Sequence, residues 1–368
     1  MSCTQIFFDL RDKLKTEYQY FLSQHGLKPY QAMPDDELRI MHRKIFDNAK
    51  ADALNSNDPY AEDYLNLTDT QIETFIEKSL PRYRNLYQYD LDNNAKLLFD
   101  TIKREEELAF FEPERYYIST FPTKSVNAFI KKSESGFLIL LDIGLLDFLS
   151  QYTQLLFSLF AKISIERLDE SAQMIAELAL CYLTDTPVSE IRDRMPRTLG
   201  MSAQIQHDHY HNCMKFIIAH EIGHALGNHF DDSELVPKYT PNGDIEILNM
   251  SWAHEYEADI IGLKILLAES LYAEVYQNKF GNSKEAIASI MIFFSVDLIL
   301  RKLYSFVKGN REDVVFNDTH PPSEYRIKNI ENYLNSTNLK DKLQSSKGML
   351  AWNSHLLNKV LEKVNQYS

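Results

Sequence analysis

The stretch CMKFIIAHEIGHALGNHF, residues 213–230, decides how the rest of the sequence is interpreted. It contains the pattern H-E-x-x-H, formed by His220, Glu221 and His224. On an α-helix, positions i and i+4 share one face, so both imidazoles can reach a single ion. Glu221 lies one residue further around the helix and can meet a water molecule on that ion. The spacing therefore predicts a helix that holds zinc.

The residues around this pattern are apolar, which is unusual for a surface helix. Burying two imidazoles and a carboxylate there is costly unless another group satisfies them. A metal ion would do so. The alternative is a pair of core histidines hydrogen-bonded to their neighbours, with Glu221 in an ion pair.

A second helix can supply the third metal ligand. The sequence SWAHEYEADIIGLKILL, residues 251–267, begins with a candidate helix N-cap, Ser251. Glu255 and Asp259 are again four residues apart and project from one face. Glu255 can bind the ion together with the two histidines, leaving one position for water, while Asp259 accepts the second ring N–H of a ligand histidine. Without the histidines, these two acids would indicate only a solvated acidic face.

The rest of the chain is organised around helices. Apolar residues recur at helical spacing over residues 1–113, which we expect to form a helical scaffold, gating or partner-binding region. Residues 114–368 form the expected catalytic domain. Its first part contains three short segments rich in β-branched and aromatic residues, which predict a small sheet: 115–120, 125–132 and 136–142. The predicted fold class is mainly α, with this sheet as an α+β element.

Composition limits the partners and the compartment. The 368 residues carry a formal net charge of −14, which opposes binding to nucleic acid. The three cysteines form no paired motif and no secretory signal is visible, so we expect a cytoplasmic protein. The apolar stretches 137–163 and 286–300 contain charged residues or are too short, so we expect no membrane span.

Taken together, these motifs resemble a known group. HEIGH followed by EYEAD is similar to the gluzincin metallopeptidases, and more narrowly to the CAAX prenyl endopeptidases and their small soluble relatives, the minigluzincins. Three further segments match that family: Val126–Phe129 resembles its strand motif, Gly144–Leu146 its following helix start, and His320–Arg326 its carboxy-terminal HP-x-x-x-x-R region. The resemblance covers residues 115–333. It implies a zincin-like metallopeptidase core.

The resemblance also implies roles for residues that the spacing alone does not identify. Asn127 would lie on an edge strand that binds the substrate as an added β-strand. His320 would stabilise the tetrahedral oxyanion, and Arg326 would hold that segment in place.

The expected function is zinc-dependent hydrolysis of peptide bonds in a protein or peptide substrate, with one zinc per chain and Glu221 activating the zinc-bound water. Two alternatives stay open. One is a latent protease opened by an activating partner or a phage signal, and the other is a non-catalytic sensor or binding protein that contains zinc.

Other histidines allow weaker hypotheses. In HDHYH, His207 and His211 are four residues apart and could form a second metal site, but a polar helix start at the surface explains them better. We expect His229 and His254 to pack beside the metal site or to support its ligands.

Overall fold

The computed structural model is mainly helical with a small three-stranded sheet, as the sequence predicts. The loop expected at 55–60 lies outside the residues that the structure describes. The described residues are 3–29, 34–54, 65–83, 86–105, 111–123, 126–161, 165–184, 186–196, 198, 200–230, 234–238, 245–249, 251–277, 282–307 and 320–366.

In the described part of the chain, four helices precede the sheet: α1 (Cys3–Gln24), α2 (Asp35–Leu54), α3 (Asp69–Tyr83) and α4 (Leu86–Ile102). Helices α5 to α8 follow it: Ile143–Ala161, Ile165–Thr184, Ser189–Arg194 and Gly200–Leu226. The described helices α9 to α12 are Trp252–Gln277, Asn282–Val307, Ser323–Ser336 and Lys340–Gln366.

Strands β1 (Tyr116–Phe121), β2 (Ala128–Lys132) and β3 (Phe137–Asp142) confirm the predicted sheet. Their order is β1-β3-β2, with β1 parallel and β2 antiparallel to the central β3. Strand β3 is buried on both faces, because Leu138 and Leu140 pack toward α1 while Ile139 and Leu141 join the main core. That position explains its unbroken apolar sequence.

The sequence did not predict a second, two-stranded sheet between α8 and α9. It pairs β4 (Glu234–Lys238) with β5 (Ile245–Asn249) in antiparallel fashion.

Helix α8, which carries the H-E-x-x-H pattern, is the centre of the molecule. It contacts α4, α5, α9 and α10 and strands β2 and β3. In its second half, residues 212–225 are buried around the whole circumference, with Lys215 half-buried, as expected of a helix that is apolar on every side. The site is therefore held by the core itself.

Two of the helices before the sheet pack onto this core. Helix α1 covers one face of the sheet, where the Tyr18 hydroxyl donates a hydrogen bond to the Thr120 carbonyl at 2.7 Å. Helix α4 contacts α8, α9 and β1.

The placement of a domain boundary between residues 113 and 114 stays a prediction. Within the described ranges, no helix combines the length and apolarity that a membrane crossing requires.

Candidate metal centre

Helices α8 and α9 cross closely because each has a glycine at the contact. A Cβ on Gly223 would lie 3.0 Å from the Ala258 carbonyl oxygen of α9. A Cβ on Gly262 would lie 3.0 Å from the His220 backbone nitrogen of α8. Since backbone atoms cannot move aside as flexible side chains do, larger residues would separate the helices. The two glycines thus allow the face of α9 with Glu255 and Asp259 to reach the two histidines.

At this crossing the three predicted ligands meet. The Nε2 atoms of His220 and His224 are 3.1 Å apart. The Glu255 carboxylate lies 3.4 Å from each of them, with Oε2 toward His220 and Oε1 toward His224. Two helices therefore bring the atoms that could hold a metal to one point.

These distances fit a tetrahedral zinc ion. Ligand atoms about 2.0–2.1 Å from zinc at tetrahedral angles are about 3.3 Å from each other. The Glu255 carboxylate gives independent support, because it is 0% exposed and neither oxygen accepts a hydrogen bond from any described residue. The described groups nearest to it are three imidazoles, at 3.4 to 3.5 Å, and Arg326 Nη2, at 3.8 Å, and none of them donates a hydrogen bond to it. Burying a carboxylate with such distant partners is costly, and a cation between these groups would satisfy this one.

Asp259 and Arg326 lie on the Nδ1 side of the His220 ring, opposite the nitrogen that faces Glu255. The Nδ1–H of His220 donates to Asp259 Oδ1 at 3.0 Å, which leaves its Nε2 facing Glu255. Arg326 donates two hydrogen bonds to the same carboxylate, Nε to Oδ2 at 2.8 Å and Nη2 to Oδ1 at 2.6 Å. Arg326 comes from α11, so this pair also ties α11 to the site. The structure thus brings Asp259 and Arg326 to His220, and their supporting roles stay predictions.

The charges of this cluster are strongly coupled. Burial disfavours a charged His220, but the contacts with Asp259 and Glu255 outweigh burial and raise its pKa to about 9. Burial and the neighbouring His220 lower the pKa of His224 well below its usual value. Burial would raise the pKa of Glu255, yet the surrounding imidazoles, His320 first, lower it far below the usual range. Before any metal binds, His220 therefore carries protons on both ring nitrogens near pH 7.

His320 reaches the same cluster from the segment before α11. Its Nε2 lies 3.5 Å from Glu255 Oε2, and its side chain is 28% exposed. Donor atoms of His220, Glu255 and His320 all lie within 4.8 Å of one another, so this group could also hold a metal ion. Burial, which outweighs the attraction of Glu255, lowers the pKa of His320 to about 4. The ring is therefore neutral near pH 7.

A pocket opens beside the cluster. His220, Glu221 and His320 line it together with Asn127, which directly precedes the edge strand β2. The Asn127 carbonyl accepts a hydrogen bond from the Asp142 N–H at 2.8 Å. The structure thus brings Asn127 and Glu221 to one cavity, although they are distant in sequence.

One wall of the pocket, formed by α10, has no counterpart among the sequence predictions. Phe293, Val296 and Leu300 supply apolar surface there, and Asp297 and Arg301 supply charges. The Arg301 Nε donates to Asp297 Oδ2 at 2.7 Å. These five residues show ordinary helical spacing and carry no motif, so only their tertiary position identifies them.

The two glycines at the helix crossing are another feature that the sequence predictions missed. A signal for them was present, since glycine inside an apolar helix disfavours the helix unless close packing requires it. The Ser251 cap, in contrast, is confirmed: its Oγ accepts the His254 N–H at 3.2 Å.

The surface interpretation of HDHYH is wrong for its middle histidine. Helix α8 begins at Gly200, so HDHYH lies inside the helix and not at its start. The ring of His209 is buried, stacks on Phe157 with centroids 4.7 Å apart, and hydrogen-bonds through Nδ1 to the Ser289 hydroxyl at 2.7 Å. His207 is exposed, as expected.

Comparisons with known proteins add no family assignment. No family model, no curated protein and no solved structure matches this chain. The site geometry and the motifs are therefore the basis for proposing a function.

Proposed function

We propose that this protein is a zinc-dependent endopeptidase of the gluzincin type. The observation that carries the proposal is the buried Glu255 carboxylate, which faces the imidazoles of His220 and His224 at 3.4 Å and has no hydrogen-bond donor among the described residues. Those three side chains are the ligands, with Asp259 orienting His220 and Arg326 holding Asp259. When bound, zinc would polarise the scissile carbonyl and acidify water.

Glu221 is the general base in this proposal. It sits on α8 directly after the first ligand, is buried, and faces the pocket in which the reaction would take place. Its carboxylate takes a proton from the attacking water and returns it to the leaving amine. A purely structural metal site would have no use for a carboxylate at this position.

His320 is the proposed oxyanion donor. As a neutral imidazole it keeps one N–H to donate, and it lines the same pocket as Glu221. A donor placed in advance stabilises the charge that develops on the carbonyl oxygen.

The substrate would enter along β2. This strand is at the edge of its sheet, and Asn127, the residue before its first position, lines the pocket. An extended polypeptide could add to that edge with backbone hydrogen bonds. This arrangement favours a protein or peptide substrate over a small molecule.

The direct test is Glu221→Gln. Glutamine has the same size but cannot take a proton, so we expect zinc content and the melting temperature to stay unchanged while cleavage is lost. Cells that express wild-type protein or the variant are compared by mass spectrometry of newly formed protein termini, which detects cleavage of any target in the cell. Equal sets of termini would contradict the mechanism.

One observation favours a second function. If His320 Nε2, 3.5 Å from Glu255, became a fourth protein ligand, the site would be closed as in structural zinc sites. The chain would then be a zinc-containing sensor, or a protease kept latent until a partner moves His320.

The variant His320→Ala separates these possibilities. For an oxyanion donor, zinc affinity stays within about twofold while turnover falls about 10²–10³-fold. A large loss of zinc affinity, measured by competition with a chelating dye, would instead support the closed site.

A further inference from the structure

The turn at the end of helix α8 places another histidine, His229, beside the proposed metal ligand His224. Beyond Leu226 the backbone turns back, with Asn228 in the left-handed region at φ 56°. The His229 N–H donates to the His224 carbonyl at 3.1 Å, which closes the turn. A Cβ on Gly227 would lie 2.2 Å from His229 Nε2, so the ring occupies space that only glycine leaves open.

The His229 ring joins His224 to the surface. The Nδ1 atoms of His224 and His229 are 2.9 Å apart, and His229 Nε2 lies 3.3 Å from Glu257 Oε2. The side chain of His229 is 1% exposed, whereas that of Glu257 is 59% exposed. On its other side His229 stacks on His254, with centroids 4.3 Å apart and an angle of 10° between the rings. A buried ring thus links a proposed ligand to a carboxylate in solvent.

The hydrogen-bond roles follow from the ligand geometry. His224 presents Nε2 to His220 and Glu255, so that nitrogen carries the lone pair and Nδ1 carries the proton. His224 Nδ1–H then donates to His229 Nδ1, which must be unprotonated. The remaining proton of His229 is on Nε2 and points to Glu257.

We propose that His229 is a positioning residue that fixes the tautomer and ring orientation of His224 by accepting its Nδ1–H. It does for His224 what Asp259 does for His220. The two proposed histidine ligands are therefore oriented by different acceptors, a carboxylate held by Arg326 and a neutral imidazole held by Glu257. The inference rests on the proposed metal site.

The test measures zinc and cobalt binding by three purified variants. In His229→Leu the acceptor is lost, so we expect zinc affinity to fall about 10–100-fold, with a changed absorption spectrum of the cobalt-loaded protein. In His229→Asn the Oδ1 atom can accept from His224, so affinity should stay within about threefold of wild type. The matched control is His209→Leu, which removes an equally buried α8 histidine far from the site and should leave affinity unchanged.

A second measurement does not depend on the variants folding. In ¹⁵N-histidine-labelled, zinc-loaded wild-type protein, long-range ¹H–¹⁵N correlation should show His229 unprotonated at Nδ1 and protonated at Nε2. A proton on His229 Nδ1 would overturn the inference, as would equal zinc affinity of His229→Leu and wild type, or equal losses in the leucine and asparagine variants. If wild-type protein binds no zinc, the proposed function fails. If it binds zinc but one of these results is found, only the inference about His229 fails, so the two failures are distinguishable.

Discussion

The α8–α9 crossing and the packing of α2 against α3, called here the α2–α3 pair, both bring two helices together, but through different groups. At the crossing, backbones approach at glycines and enclose two carboxylates that are 0% exposed, those of Glu255 and Asp259. In the α2–α3 pair, Leu38, Ile72 and Ile76 form a buried apolar cluster. Beside it, Arg43 forms ion pairs with acidic side chains that are open to solvent, those of Asp47, Asp69 and Glu73.

The difference separates charged groups that are expected to have a function from those that only lie on the surface. Solvent screens the ion pairs of the α2–α3 pair, and they contribute little to stability. The carboxylates of the crossing lost their hydration when the helices packed, and they are offset by Arg326, by the imidazoles and, in the proposed metal site, by an ion at Glu255. Buried charge of this kind is expected at functional sites, whereas the charges of the α2–α3 pair stay hydrated.

The largest expected effect contrasts a carboxylate from each region. Glu255→Gln removes a negative charge among imidazoles, so we expect zinc affinity to fall at least about 100-fold, beyond the loss typical of residues that only support ligands. Glu77 on α3 is the exposed ion-pair partner of Arg39 on α2. Glu77→Gln should leave both zinc affinity and melting temperature unchanged. Competition with a chelator measures the zinc affinity of each variant, and thermal melting measures its melting temperature. Similar zinc affinities for the two variants would contradict the assignment of Glu255 as a ligand.

The second prediction concerns how zinc affinity depends on pH, which follows from the charge of His220 at the crossing. Because His220 of the folded apo protein keeps a second ring proton, on Nε2, up to about pH 9, zinc has to displace that proton. Between the ordinary His value of 6.5 and about 9, affinity should rise about tenfold per pH unit, with about one proton released. Over the same range the apo protein should lose stability, since this proton favours the folded state. Calorimetry in buffers of different ionisation enthalpy measures the release, and a pH-independent affinity would contradict the charge state.

The smallest effect compares two helical glycines. Gly262→Ala places a methyl group against the α8 backbone, and we expect it to lower the free energy of unfolding by about 1–3 kcal/mol and to weaken zinc binding. Gly348→Ala on α12 meets no atom within 4 Å and should stabilise the protein by up to about 1 kcal/mol. Denaturant unfolding measures both. Stabilisation by Gly262→Ala would show that the close helix contact is not required.

Much of the site could be predicted because its residues belong to two local patterns. His220, Glu221 and His224 lie on one helix, Glu255 and Asp259 on another, and helical spacing alone places each set on one face. The same local reasoning identified the three strands. It failed where the signal is not local, as for Arg301 in the pocket wall and for His209, whose burial depends on Phe157 and Ser289.

By itself, the sequence determined the helical character of the chain, the small sheet and the side chains on the two motif helices, because these depend on the spacing of neighbouring residues. Only the tertiary structure decided that Glu255 lies 3.4 Å from both imidazoles, that Arg326 donates hydrogen bonds to Asp259, and that the Nδ1 atoms of His229 and His224 lie 2.9 Å apart. The physical reason is that helical periodicity fixes a direction around an axis. The distance between two axes depends on every residue packed between them, here on Gly223 and Gly262.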